Sequence, residues 1–600
     1  MKKNDIHKRY LQSAESYSAK AALAEKRLFL LSMLRLVCFA GGIILIWTGF
    51  HYNVLLGFGV LVIVALLFSL LLRAYLSKTE QKEYYSNLAE INRNEASALS
   101  GDLSFSDGGE RYMDTGHCFS YDIDLFGKTS LFRYLNRTVT GFGRDLLADW
   151  LSNPYEIAGN LAQRQAVIKE LVEKETWRHN FMAAGYNKSL DKENIADLNT
   201  WINQVENRNY PVLHKYLLVI LPTATFISLF LMIIGAFHYS IFTSLFIINL
   251  LYVFADKTSI DRIHGAVTRK FYYFDSINKM LKVFDNEIFK SDILQNVKKN
   301  ISGDGISAAA SIHKLGRLIN SFDYRLNMIV GVALNGLILW DYQCVNRLEK
   351  WKLEYKSHFT TWLEMLGQVD AFVSLGNFAA NNPDYVYPSI ANGDNFLSSI
   401  ELGHPLIDEQ VRVCNNFDMQ RKGMAIIVTG ANMSGKSTFL RTLAVNYILA
   451  MTGSPVCAKR FIFRPIKLFT SMRTEDSLSS NESYFYAELK RLKQLRLLID
   501  NNEPVFFILD EILKGTNSAD KSLGSKMFLA KLIEMGGTGL IATHDISLGE
   551  LEIIFPDKII NKCFEIEIDE GKISFDYILR QGITSKMNAG LLMKQMGIVE

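Results

Sequence analysis

The chain is 600 residues long, with 65 Lys and Arg against 62 Asp and Glu and a formal net charge of +3. So small an excess does not mark a nucleic-acid binder by electrostatics alone, and an apolar share of 49 % with 10 prolines excludes a disordered or low-complexity chain in favour of several helical domains with membrane segments. Six cysteines, at 38, 118, 344, 414, 457 and 563, have no paired metal spacing and read as reduced thiols of a cytoplasmic protein.

In chain order, the first element is a basic leader, residues 1–28, carrying Lys2, Lys3, Lys8, Arg9, Lys20, Lys26 and Arg27. Leu36 to Leu72 is a run of 37 residues without formal charge, and Tyr216 to Ala255 is a second, of 40. Each has room for two spans of roughly 18 to 20 residues, the length that crosses a hydrocarbon core. Polar breaks at His51-Tyr52-Asn53 and Phe237-His238-Tyr239-Ser240 divide them into two hairpins, four spans in all, at 29–76 and 216–255. Helices of soluble proteins carry a charged face, and these do not. Arg73, Lys78 and Lys82 follow the first hairpin and neither turn holds Lys or Arg. An integral protein of a bacterial-type inner or plasma membrane, with all flanks and the C-terminal half in the cytoplasm, is therefore expected. A cleaved signal peptide is a poor alternative, since the leader is too long and the apolar stretch exceeds an h-region.

Between and after the hairpins the expected layout is a linker at 77–114, helical segments at 115–215 and 256–398, and a C-terminal domain at 399–600. Ser97 to Asp114 and Asn381 to Ser398 have linker composition. Met328 to Trp340 is apolar, too short to span and interrupted by Asn335, so a buried or membrane-adjacent helix is expected. Basic residues from Arg262 to Lys299 alternate with Asp261, Asp275, Asp285, Glu287 and Asp292, as on a solvated helical face.

The C-terminal domain carries the chemistry. An apolar run, Met424 to Val428, leads into Thr429-Gly430-Ala431-Asn432-Met433-Ser434-Gly435-Lys436-Ser437-Thr438 and then a helical pattern. Gly430, four residues, and Gly435-Lys436-Ser437 fit a loop whose N–H groups wrap phosphates, with a lysine for the outer phosphates and a hydroxyl for Mg²⁺. Val505 to Leu509 reads as a buried strand delivering Asp510 and Glu511 to its C-terminal edge, Asp510 for Mg²⁺ and Glu511 to polarise water. A third run, Gly539 to Ala542, ends in Thr543-His544-Asp545, where His544 is placed to position water near a γ-phosphate.

The wording of these motifs closely resembles the MutS family of mismatch-repair ATPases: Thr429 to Thr438 its nucleotide loop, Asp510-Glu511 with Lys514 to Asp520 its Walker B and following loop, and Thr543-His544 its histidine. Gly403-His404-Pro405-Leu406 resembles the entry to its ATPase domain, and Gly582 to Lys586 with Gly590 and Gly597 its closing segment. Leu135 to Gly143, Trp150-Leu151 and Arg164-Gln165 resemble the start of its helical core, and Leu366 to Leu375 the helix that returns from its levers. The resemblance implies an α/β P-loop, ABC-like ATPase domain at the C-terminus, preceded by an all-α core and lever domain that the hairpins interrupt. It implies ATP and Mg²⁺ as cofactors, with Gly430, Ala431, Asn432, Met433, Ser434, Gly435, Lys436, Ser437 and Thr438 around the phosphates, Ser437 and Asp510 on Mg²⁺, and Glu511 and His544 orienting water. It also implies a homodimer through the ATPase domain, in which Ser483 reaches the partner's γ-phosphate, and DNA as a partner. Asn481-Glu482 replaces the family's Gly-Arg ahead of that serine, so slow turnover is expected. The segment before the core leaves no room for the family's mismatch-recognition domain, so direct mismatch recognition is not expected. Two other functions fit parts of the pattern, an ATP-switched membrane protein with no DNA role and an ABC-type transporter. The latter is disfavoured by the soluble insertion between the hairpins and the lack of a Leu-Ser-Gly-Gly-Gln motif.

Overall fold

The computed structural model describes residues 3–186, 195–204, 212–303, 305–473, 484–515, 517–569 and 572–584. Helices α1 (Lys3–Tyr52) and α2 (Val54–Leu99) form an antiparallel pair, turned at Asn53, whose side chain caps α2 by accepting from Leu55 N at 2.9 Å. The turn falls on the expected polar break. The uncharged half of the pair is bare apolar surface, with Trp47 70 % exposed. The other half is a stalk seated on the core. There Glu95 accepts from Arg137 Nε at 2.8 Å and Asn381 Nδ2 at 2.6 Å, and Tyr10 Oη donates to Asn381 Oδ1 at 3.0 Å.

This corrects the expected leader and linker. Residues 3–28 and 77–99 are continuous helix, because no Gly or Pro lies between Gly59 and Gly101 to break it and Leu88, Ile91, Glu95 and Ala98 recur at helical spacing on a buried face. The segment after Gly101 is tied to the C-terminal part rather than loose. Cys118 O accepts from Thr470 N at 2.8 Å, and Asp122 Oδ1 from Arg473 N at 2.9 Å.

Helices α3 (Gly141–Ser152) and α4 (Leu161–Glu173) pack on the later, 42-residue α8 (Trp340–Asn381), forming the core expected from the sequence. Their joint is Asp370 of α8, fully buried, which accepts from Thr140 N at 2.9 Å, Thr140 Oγ1 at 2.6 Å and Val139 N at 3.1 Å. Thr140 in turn caps α3 by accepting from Gly143 N at 3.0 Å. Gly143 has no alternative there, since a Cβ would lie 2.4 Å from Asp370 Oδ2.

Between α4 and α8 come α5 (Val212–Ile233), α6 (Tyr239–Ala255) and α7 (Met328–Ile338). His238 caps α6, so the second turn also falls on its expected break. By length and composition α1, α2 and α5 could each cross a membrane. The 17-residue α6 qualifies only together with Lys257–Thr268, from which it is bent by 66°, and α7 only with α8, across an 80° bend.

The C-terminal third holds the sheets. Strands β1 (Ala425–Gly430), β2 (Lys467–Ser471), β3 (Val505–Asp510), β4 (Thr538–Thr543), β5 (Ile559–Phe564) and β6 (Leu579–Gln581) lie in the order β6-β5-β1-β4-β3-β2, parallel except β6. A smaller mixed sheet, including Leu397–Leu402 and Asn415–Met419, packs beside it. Every residue of β1, β3 and β4 is buried, which is why these strands read as unbroken apolar runs. After β1 comes α9 (Lys436–Thr452), whose last turn meets the core. Arg164 Nε of α4 donates to Thr452 O at 2.8 Å, and its guanidinium stacks 3.9 Å over Trp150.

Asp370→Ala leaves three buried donors without an acceptor. It should lower unfolding stability by on the order of 3 kcal/mol, read as a depressed melting temperature of the detergent-solubilised chain.

Candidate phosphate-binding site

The strand register sets the site. Thr429 pairs with Thr543 and Asp510 with Ala542, so the ends of β1, β3 and β4 lie at one edge, and Gly430, Asp510, Glu511 and His544 come together there. Gly435 begins α9 at φ 99°, a left-handed conformation that favours glycine, and Ser434 Oγ closes the loop on Ala431 O at 2.8 Å. A cavity of about 390 Å³ opens over the loop, lined by Asn432, Met433, Ser434, Gly435, Lys436, Ser437 and Thr438 together with Glu511.

Lys436 lines that cavity, but its ammonium is engaged by the loop itself. Buried, it donates to Gly430 O at 2.8 Å and Ala431 O at 2.9 Å, with His544 Nδ1 at 3.3 Å. Burial pushes its ammonium down to about 8, against the pull of Glu511 and Asp510. His544 donates from Nδ1 to Gly430 O at 2.7 Å and meets Glu511 Oε1 through Nε2 at 2.5 Å. That hydrogen bond holds the Glu511 carboxyl down to about 2, with burial opposing it. A carboxylate so stabilised is a weak base, so in this arrangement Glu511 is engaged by His544 rather than free to take a proton from water.

Asp510 Oδ1 is buried and takes no hydrogen bond among the described residues, while Ser437 is exposed at the first turn of α9. An orphaned carboxylate oxygen beside a phosphate loop fits a divalent cation. No three His, Cys, Asp or Glu side chains converge as a metal site among the described residues, so such an ion would need ligand oxygens to complete its coordination. Ser483, with Asn481 and Glu482, lies outside the described residues.

Two groups of residues escaped the sequence reading. The far wall of the cavity is apolar, made by Ile407, Val411, Val413 and Tyr577. Tyr577 is set there by Asn415, which donates to Tyr577 O at 3.0 Å and accepts from Leu579 N at 2.7 Å. His404, which the sequence already singles out, also lines the cavity, and burial pushes its imidazole down to about 4, keeping it neutral at pH 7. The second is Glu488 of α10 (Tyr484–Asp500), buried, which accepts from Leu513 N and from Lys514 N at 3.0 Å and so holds the loop after Glu511, where Glu511 and Leu513 adopt φ of 50° and 62°. A signal was present: Glu488 stands in register with Leu492, Leu495 and Ile499 on the apolar stripe of its helix, where a charge is out of place.

Residues 426–599 match the family model of MutS domain V, and residues 119–376 match that of MutS domain III, which includes the second uncharged run and α7. The chain is 29 % identical over 241 residues to MutS protein homolog 4 of Homo sapiens, covering 38 % of this chain and 25 % of that protein. It is 25 % identical over 494 residues to the DNA mismatch repair protein MutS of Aquifex pyrophilus, covering 76 % of this chain and 56 % of that one. With the DNA mismatch repair protein MutS of Bacillus licheniformis it shares 29 % identity over 261 residues, 42 % of this chain and 29 % of the relative. The chain thus spans between a quarter and just over half the length of these relatives.

Lys436 must be charged to hold phosphate oxygens, and with burial pushing its ammonium down to about 8 it loses its proton above that pH. Affinity for ATP should therefore be flat below that pH and fall above it, by up to about tenfold per pH unit. Calorimetric titration across this range checks it, and Lys436→Met should bind more weakly and lose the slope.

Proposed function

Because the chain belongs to the MutS family, we propose that it binds and hydrolyses ATP at the edge of its C-terminal parallel sheet, in a DNA repair or recombination role, while its uncharged helices hold it in a membrane. The observation that carries the ATPase reading is the convergence of Lys436, Asp510, Glu511 and His544 beside a glycine-containing loop at the start of a helix. Backbone N–H groups from Gly430 to Thr438 cradle the phosphates, and Lys436 swings from the carbonyls of Gly430 and Ala431 to the β and γ oxygens. Ser437 and Asp510 are the residues that would hold Mg²⁺, which when bound neutralises phosphate charge. Ile407, Val411 and Val413 offer an apolar wall for the base, and Tyr577 a ring to stack on it. Glu511 orients the attacking water and accepts its proton once His544 moves from Glu511 toward the γ-phosphate; the hydrogen bond seen between them supports this as the resting arrangement.

Hydrolysis is proposed to need a second copy, whose Ser483 completes the site, and to be slow because Glu482 brings a negative charge close to the triphosphate. The layout proposed is a stalked hairpin, a core, a second hairpin, a lever and an ATPase domain, the last in the cytoplasm. Bare apolar helices support membrane insertion. DNA as partner rests on relatives named for mismatch repair, with contact through phosphate and shape.

Glu511→Gln keeps the shape and removes the base, so in nanodiscs it should retain ATP binding and lose hydrolysis by about a hundredfold or more. Unchanged turnover would remove Glu511 from the mechanism. Duplex, mismatched or branched DNA should stimulate the unmodified protein, and less so at high salt. Hydrolysis indifferent to every DNA would contradict the DNA role and leave an ATP-driven membrane switch.

A further inference from the structure

Helix α7 is as bare and apolar as the hairpins, yet at 11 residues it is about 16 Å long, half of what a span requires. One side of it packs on α5 and α6. Asn249 of α6, fully buried, donates from Nδ2 to Thr225 Oγ1 of α5 at 3.0 Å and to Gly336 O of α7 at 2.7 Å. Gly336 O belongs to the last turn of α7, where carbonyls have no partner in their own helix, so this bond both ends α7 and fastens it to the hairpin. The other side has no cover: Met328 and Ile329 are each 82 % exposed, and Val330 and Val332 lie beside them.

The flanks fix where α7 begins and ends. Arg325, just before it, pairs with Asp341, just after it, at 3.0 Å, and with Asp261, just beyond α6, at 2.7 Å. Trp340 Nε1 donates to Ser321 O at 2.9 Å, and Gln343 Nε2 to Leu218 O near the start of α5 at 3.4 Å. The chain therefore enters and leaves α7 at one charged level, the foot of the second hairpin, where Lys215, Asp256 and Lys257 bound the uncharged run. An element with both ends at the foot cannot cross. Near the same foot α5 is bare as well, with Val219 65 % and Ile220 56 % exposed. At its end the buried Leu339, at φ 52°, turns the chain through 80° into α8.

We propose that α7 dips into the lipid leaflet at the foot of the second hairpin and returns, its Met328–Val332 face against acyl chains, so that the lever α8 starts at the bilayer surface. This rests on the membrane reading above, and the partner is the lipid itself. Interfacial helices sit about 5–10 Å into the headgroup and acyl boundary, the depth that an element returning to its own foot can reach.

The test is collisional accessibility of a nitroxide in nanodiscs, attached through a ketone-bearing amino acid so that the native cysteines stay in place. Three positions suffice: Ile329 on α7, Phe230 on α5 as the lipid standard, and Leu353 on α8 as the aqueous standard. The oxygen-to-nickel-chelate ratio at 329 should exceed that at 353 several-fold and lie below that at 230, which stands deeper along its span. A lipid-like value at 230 with an aqueous value at 329 overturns the insertion of α7 and leaves the hairpin reading standing. Aqueous values at both overturn the membrane reading and this proposal with it.

Discussion

The buried carboxylate of Asp370 is the joint on which the architecture turns. It ties α8 to the start of α3 through three hydrogen bonds, at a crossing so close that only a glycine fits at 143. Burial raises its carboxyl to about 6, so the hydrogen bonds offset much but not all of the desolvation. From this joint α8 runs one way to the bend at Leu339 and the foot of the second hairpin. The other way it ends at Asn381, held by Tyr10 and Glu95 of the first hairpin's stalk. One helix thus touches both apolar hairpins. Through α3 and α4 the same joint reaches Arg164, which grips the end of the phosphate-loop helix at Thr452. The dipole of that helix favours a cation at its C-terminus, which offsets part of the cost of burying Arg164, whose guanidinium is pushed down to about 9 by burial.

The nucleotide site in this arrangement is balanced by its own charges. The Lys436 ammonium sits on two loop carbonyls, and His544 bridges Gly430 and Glu511. In the proposed mechanism each of these groups leaves its present partner: a triphosphate would supply stronger acceptors for Lys436, and the basicity of Glu511 would depend on where His544 goes. Glu488 couples that rearrangement to α10 by holding the loop after Glu511.

Features with a local cause were legible in the sequence. The loop from Gly430 to Thr438, the acids at 510 and 511 and His544 come directly after three apolar runs, and the sheet brings them to one edge as expected. The turns at Asn53 and His238 stand where polar residues interrupt uncharged runs. Features set by distant partners were not legible. Tyr577 has nothing near it in sequence to reveal that Asn415 places it beside the loop. The stalk looked like leader and linker because its hydrophobic face is narrow and interleaved with Lys, Glu and Asn, and only contact with α8 shows why it stays helical. The bend at Leu339 left no mark, since a leucine in left-handed conformation is held there by packing and by the Arg325 pairing rather than by its own preference.

If ATP binds at the sheet edge as proposed, the contacts of Arg164 with Thr452 and of Asp370 with Thr140 would carry its effect to α8. Hydrogen exchange of the full-length Glu511→Gln protein in nanodiscs, with and without ATP, tests it directly. The account predicts slowed exchange at the phosphate loop and α9 together with a change at residues 139–152 and 366–377. A change confined to the loop, α9 and the strand around Tyr577, with the α3–α8 crossing unaltered, would contradict it.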